Sequence, residues 1–297
     1  MLLYKTKNIC SFITVYMPQV AKLKKNIEII LQYSDVVYLL FNSPVLLELQ
    51  FSSKIIIIDN GKNIGISRAI NKGVNIAIKS GYEYAVLFDQ DSILTRENFE
   101  IMFFEICKNE KIACMGPSLN VRNNVIPINS WVKNDNFVFS NNVISVNNII
   151  TSGMLVNIRV FEAVNGFNED FPVDFSDFVF CWRALYNGYF VVQNRNAYLI
   201  HEVGNRGMNV FGRTVHFHAP YRNYFLVRDT LNICFKTKET PLLIGLRFFF
   251  FLPFRMLFYL FMLDNRFLRL KMYWLGFKDF FVNKKHFGSI SNILNAE

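Results

Sequence analysis

Cysteine is sparse and unpatterned in this chain. Cys10, Cys107, Cys114, Cys181 and Cys234 are odd in number, scattered and without metal-ligand spacing. That excludes a disulfide scaffold and a cysteine-based metal site, and it suits ordinary buried thiols in a reducing compartment. The opening run MLLYKTKNICSFITVYMP places Lys5 and Lys7 ahead of an apolar stretch but has no small-residue cleavage site. A first β-strand explains it better than a signal peptide. No RNA-binding or helix-turn-helix pattern accompanies the net charge of +9, so nucleic acid is not the expected anionic partner. A nucleotide diphosphate or an anionic membrane surface remains. His216 and His218 are two apart but lack acidic neighbours, which argues against a second metal site there.

What is present is apolar. The chain is 52% hydrophobic and carries 32 phenylalanines, ample for the core of one large domain or a domain with an appendage. Ile9 to Tyr16 is β-rich and closes at Met17 and Pro18. Val20, Leu23, Ile27 and Ile30 then recur at helical spacing. Val36 to Leu40 reads as a second strand ending at Phe41, Asn42 and Ser43. Ile55 to Ile58 reads as a third, buried strand turned by Asp59, Asn60 and Gly61. A helix with Ile66, Ile70, Val74 and Ala77 on one face leads to the strand Tyr84 to Phe88. This repetition predicts a parallel sheet with right-handed crossovers. Glu97 to Lys108 and Ile112 to Met115 continue the pattern as helix and strand. Leu119 to Asn148 is Asn-rich and irregular, either a pocket-shaping excursion or a surface insertion. Regularity returns at Ile149 to Gly153, and Tyr189 to Val192 and Ala197 to Ile200 are strand-like and deliver His201.

The stretch around which the rest is arranged is YEYAVLFDQDSIL, Tyr82 to Leu94, where a buried strand ends in two aspartates one residue apart. Alternate residues on extended chain share a side, so Asp89 and Asp91 are expected to converge on a hard cation and through it on a diphosphate. With 11 aspartates in the chain, about 0.4 such triplets arise by chance, so a solvated strand-end turn is the rival reading.

Other segments decide between them. NIGISRAINKG (Asn63 to Gly73), FDQDS (Phe88 to Ser92), ITSGM (Ile150 to Met154), NGFNEDFPVDFSDFVFCWR (Asn165 to Arg183), HEVG (His201 to Gly204) and YRNYFLVRD (Tyr221 to Asp229) come in the order seen in family 2 glycosyltransferases. Over nearly its whole length the chain resembles, more narrowly, the rhamnosyltransferases of bacterial polysaccharide assembly. The resemblance implies an α/β GT-A fold, Rossmann-like with a mostly parallel central sheet flanked by helices. It implies a nucleotide-diphosphate sugar donor, Mg²⁺ or Mn²⁺, and inversion at the anomeric centre. It places Asp91 as the likelier direct metal ligand, Asp89 on the ribose or a metal-bound water, and His201 as third ligand. Thr14, Tyr16, Asn42, Asn63, Arg68 and Asp89 fall at donor-binding positions, and Arg222 and Arg228 at the diphosphate. Arg206 and Arg213 are either part of a loop closing over the nucleotide or solvated charge. Asp177, six residues before Arg183, is the expected base that deprotonates the acceptor, with Asp174 in reserve. The same carboxylates would also serve as helix caps.

The chain departs from the family pattern where Leu40, Phe41 and Asn42 replace Val-Asp-Asn, leaving Phe41 as a candidate for packing on the base. Val179 replaces an acid, and Thr14 to Pro18 alter the opening motif. The expected organisation is a catalytic domain over 1–235, with a donor half of about 1–117 and an acceptor half of about 118–235. An amphipathic, basic, Phe-rich helical region over 236–297 follows. Pro241 to Leu263 is long enough to cross a bilayer, but Arg247 and Arg255 each cost roughly 2.5–3.5 kcal/mol at a helix centre and Pro253 kinks it. An interfacial anchor is expected, with a re-entrant or spanning hairpin and a helical pair packed on the domain as the other readings.

The expectation is therefore an inverting, metal-dependent transferase. It works peripherally on the cytoplasmic face of the inner membrane and moves L-rhamnose from dTDP-L-rhamnose to a polyprenyl-linked saccharide for O-antigen or capsule. A galactofuranosyl or other hexosyl transferase would use the same parts. A noncatalytic membrane-bound scaffold would account for Phe41 and Val179.

Overall fold

Alternation along the central strands builds two cores, one on each face of a sheet. The computed structural model describes residues 8–45, 52–121, 124–126, 138–201, 207–210, 213–216 and 219–294. It divides into two units, 1–168 with 176–202 and 169–175 with 203–297.

In the first unit β1 (Ile9–Val15), α1 (Val20–Ile30), β2 (Val36–Phe41), β3 (Ile55–Asp59), α2 (Ile66–Lys79) and β4 (Tyr84–Asp89) follow the expected order closely. β5 (Ser92–Leu94), α3 (Arg96–Ile106), β6 (Ile112–Val121), β7 (Asn124–Ile126), β8 (Val138–Ser140), β9 (Val143–Ser145), β10 (Met154–Asn157), α4 (Ile158–Ala163), α5 (Ser176–Tyr186) and β11 (Phe190–His201) complete it. The main sheet path is β3-β2-β1-β4-β10-β6-β11-β9-β8. Ile13, Leu39, Val86 and Phe88 point to the face packed by Leu23 and Ile27 of α1 and by Phe99, Met102 and Phe103 of α3. Cys10, Phe12, Leu40, Ala85 and Leu87 point to the face packed by Ile70 and Val74 of α2, Phe161 of α4 and Phe180 of α5.

Three expectations need correction. The sheet is parallel only over β3-β2-β1-β4 and β6-β11. β10 runs antiparallel to both β4 and β6. No helix lies between β6 and β10 among the described residues, and parallel pairing needs a long crossover. β3 is not a buried strand: it ends the sheet, and Ile56 and Ile57 are exposed. The third correction is the boundary near 235, because α6 belongs with the helices after it.

That second unit contains β12 (Gly207–Val210), β13 (Arg213–His216), α6 (Arg222–Phe235), α7 (Leu242–Met262) and α8 (Arg266–Phe281). Leu226, Val227 and Leu231 of α6 share a core with Leu252 of α7 and Tyr273 of α8. The approach of α8 to α6 is close: a Cβ on Gly276 would lie 2.7 Å from the Tyr224 carbonyl oxygen. The segment 169–175 also belongs here, with Val173 packed beside Tyr224 and Phe225.

Candidate active site

The carboxyl ends of parallel strands are where open α/β sheets bind ligands, and three sequence-predicted residues meet that description. Thr14 stands in register with both Leu40 and Asp89. Counting in twos from Phe12, Leu40 and Leu87, residues Thr14, Asn42 and Asp89 all fall on the sheet face covered by α2, α4 and α5. The helices bring their amino ends: Asn63 and Gly65 precede α2, and Asp177 lies in the first turn of α5.

Asp89 and Asp177 are brought together by a turn, Thr151 to Gly153, that precedes β10. The Ser152 hydroxyl, buried, donates to Asp89 Oδ2. One residue earlier, the Thr151 amide donates to Asp177 Oδ2 at 3.3 Å, and the Phe178 amide donates to Oδ1 at 2.9 Å. Gly153 pivots this turn at φ 75°, and a Cβ there would lie 2.9 Å from Leu199 Cδ1. Its amide donates to the Leu87 carbonyl at 2.8 Å, fixing the turn to β4.

The environment sets the acidity of Asp177. Burial of its carboxyl pushes the pKa up to about 7, opposed by the two amide donors and assisted by the negative charge of Asp89. A general base works best with a pKa near the working pH, where it is deprotonated and still accepts a proton readily. The capping role expected as a rival is met by the Phe178 hydrogen bond within the same side chain. Thr151 and Ser152 had no assigned role in the sequence reading. ITSGM was the signal, but nothing in it says which carboxylates it will reach.

Asp89 and Asp91 do not lie on continuous extended chain. β4 ends at Asp89, and Gln90 and Asp91 form a turn into β5. The cause is Gln90, which accepts from the Tyr16 amide at 2.9 Å and donates to the Tyr16 carbonyl at 3.0 Å. Asn26 of α1 holds the Gln90 carbonyl at 2.9 Å. His201 pairs through its backbone with Ser92, the residue after Asp91, while its side chain lies outside what the structure describes. Among the described residues no three metal-ligating side chains cluster. Asp89 and Asp91, both partly exposed, are hard oxygen donors of the kind Mg²⁺ and Mn²⁺ take.

Of the other expected donor contacts, Tyr16 is exposed beside this turn. Asn42 is buried and spends its amide on structure, donating to the Gly65 carbonyl at 3.3 Å and accepting from Asn60 at 3.1 Å. Asn63 accepts from the Gly65 amide at 2.9 Å, and Arg68 is exposed on α2. Phe41 cannot stack on a base as placed, because its ring is wholly buried between β2 and α1. Val179 is likewise wholly buried. Both departures from the family pattern are packing residues.

Arg222, Arg228 and Asp174 belong to the second unit. Arg228, expected at a diphosphate, is fully buried. Its Nε and Nη2 each lie 2.6 Å from Asp229 Oδ1, Nη1 donates to Tyr224 Oη and the His286 carbonyl, and Nη2 also donates to the Asp170 carbonyl at 3.1 Å. With five donors committed it is an internal strut, since a guanidinium taken from water needs every donor satisfied. Arg222 pairs with Asp174, which leaves the reserve base candidate tied to a cation. Arg206 and His218 lie outside the described residues, and of Arg213 and His216 only the backbone of β13 is described.

No protein-family model matches the chain. It is 28% identical over 202 residues to the dTDP-rhamnosyl transferase RfbF of Shigella flexneri, covering 65% of this chain and 67% of that one. Its fold is similar to GalNAc-T7 with UDP, GalNAc and Mn²⁺, with a TM-score of 0.56, 9% identity and 83% of this chain covered. The chain spans about half, 54%, of that protein's length. It is also similar to residues 1–349 of S. aureus TarS in complex with UDP-GlcNAc, with a TM-score of 0.59, 11% identity, and 92% and 80% of the two chains covered. The solved structures carry the fold, which is that of GT-A glycosyltransferases, and the curated relative carries the sequence likeness, so the chain is similar to family 2 glycosyltransferases of the rhamnosyltransferase kind.

Proposed function

We propose that this enzyme transfers a sugar, L-rhamnose from dTDP-L-rhamnose, onto a lipid-linked saccharide by an inverting, metal-dependent displacement. The observation that supports it is the pairing of Asp177 with Asp89 through Thr151 and Ser152, which brings a carboxyl of pKa about 7 to the end of the strand that carries Asp89. Asp177 takes the acceptor hydroxyl proton as that oxygen attacks the anomeric carbon, and the nucleoside diphosphate leaves from the opposite face. Asp91, with Asp89 and the His201 position on β11, would hold Mg²⁺ or Mn²⁺. That cation would neutralise charge developing on the diphosphate. Thr14, Tyr16 and Asn63 border the same strand ends.

The choice of rhamnose rests on the Shigella relative's name, and the acceptor and the O-antigen or capsule setting on the family resemblance. Incubating the purified protein with dTDP-L-rhamnose and a panel of UDP- and GDP-sugars, with and without Mn²⁺, tests it. Selective metal-dependent turnover of the dTDP-sugar is expected. Turnover of a UDP-hexose alone would replace the donor, and donor binding with no hydrolysis or transfer would leave a scaffold. The working place proposed is the cytoplasmic face of the inner membrane, reached through the C-terminal helices.

A further inference from the structure

α7 is apolar on the side that soluble helices keep polar. Leu243, Phe250, Phe254, Leu257 and Phe261 recur at intervals that keep them on one face, and each is 52–80% exposed. Its opposite face is the packed one: Leu252 sits among Leu226, Val227 and Leu231 of α6, and the Cys234 thiol donates to the Gly245 carbonyl at 3.0 Å. α8 repeats the inversion with a second chemistry. Phe267, Trp274 and Phe281, seven residues apart, are 90%, 68% and 78% exposed, while Met272, Tyr273 and Gly276 face inward. Exposed Lys271 and Lys278, four residues after Phe267 and Trp274, share that outer face.

Between Leu242 and Phe281 there are six basic residues and two acidic ones, and one of the acids, Asp279, is buried under Tyr224 and Ser289. An apolar face bordered by cations and an exposed tryptophan complements the headgroup and upper acyl region of an anionic bilayer. A second protein copy would have to match these charges with acids.

By length and composition α7 could cross a bilayer. Its packing argues against that. The helix is bound along its inner face to α6 and, through the Tyr273 hydroxyl on the Met256 carbonyl at 3.0 Å, to α8. A crossing α7 would carry the buried Arg228–Asp229 pair and the lysines of α8 into hydrocarbon. We propose that the outer faces of α7 and α8 seat together in one leaflet of an anionic membrane, both helices lying along its surface, with the α8 lysines and Trp274 at the headgroups. This specifies the membrane contact in the function proposed above and needs no donor or acceptor, so its failure leaves the transfer chemistry standing.

The test uses the full chain and vesicles of phosphatidylcholine with or without phosphatidylglycerol. Phe267→Ser with Phe281→Ser should lower partition into the anionic vesicles by roughly a hundredfold, and Lys271→Gln with Lys278→Gln by about thirtyfold. Neither pair should change the melting temperature, since all four side chains are exposed. Orientation is read on Trp274→Phe carrying a tryptophan at Leu243, Phe250 or Phe261, quenched by lipids brominated at different depths. Leu243 and Phe261 are about 27 Å apart along α7, so equal shallow depths at all three positions are expected. A deep middle position between shallow ends would show a crossing helix and overturn the proposal. So would unaltered binding in both double variants, or self-association in solution without vesicle binding.

Discussion

Asp177→Asn should make the enzyme inactive and more stable at once, with a pH dependence that identifies why. The Asp177 carboxyl is raised from 3.8 to about 7, chiefly by burial, against the pull of the Phe178 and Thr151 amides and with Asp89 adding to the rise. Below pH 3.8 folded and unfolded chains both hold the proton and the site costs nothing. Between pH 3.8 and 7 the unfolded chain releases the proton while the folded one keeps it, so stability falls as pH rises. Above 7 the penalty is constant. About three pH units at 1.36 kcal/mol each gives an upper bound of about 4 kcal/mol. Asparagine avoids the charge but satisfies only one of the two amides, so about 2 kcal/mol should survive, or roughly 4–8 °C in Tm for a unit of this size. The assay is thermal unfolding of wild type and variant from pH 4 to pH 8. The difference should favour the wild type by about 2 kcal/mol near pH 4, change sign as pH rises, favour the variant by about 2 kcal/mol at pH 7 and then hold. Comparing the two proteins cancels the buried Asp229, which is also raised to about 7. In the wild type, transfer should climb about tenfold per unit up to pH 7. A Tm difference independent of pH, or an Asp177→Asn protein that still transfers, would refute the reasoning.

Asp91→Asn should abolish the part of donor affinity that depends on Mn²⁺ and spare the rest, as read by calorimetry with and without the ion. Equal affinities would remove Asp91 from the ligand set. Ser152→Ala takes the hydroxyl from a buried contact with Asp89 and should cost about 1–3 kcal/mol. Turnover should fall with it, whereas full turnover would make the serine a packing residue only. Arg228→Met should lower stability by about 3–5 kcal/mol, because it strands Asp229 without its cation. Donor KM in the surviving folded fraction should be unchanged, and a large rise in KM would return Arg228 to the diphosphate.

The first half of the catalytic unit was legible because its signals are local. Leu23, Ile27, Ile70 and Val74 announce their buried faces by helical spacing, and a run such as Tyr84 to Phe88 ends visibly at Asp89. What was not legible depends on partners far along the chain. Ser152 reaches Asp89 across 63 residues and Thr151 reaches Asp177 across 26, distances over which no periodicity speaks. The antiparallel course of β10 follows from its neighbours rather than from MLVN itself. Arg228 shows the ambiguity most sharply: within YRNYFLVRD an arginine that binds phosphate and one that braces a core are the same letter. Only Tyr224, Asp170 and the His286 carbonyl around it decide which it is. The same reasoning recasts the two substitutions that suggested an impaired enzyme. Phe41 and Val179 are fully buried, whereas the carboxylates proposed to act on a proton or a cation, Asp177, Asp89 and Asp91, stand at the strand and helix ends. Divergence at a family position weakens a site only if that position faces it, and these two do not.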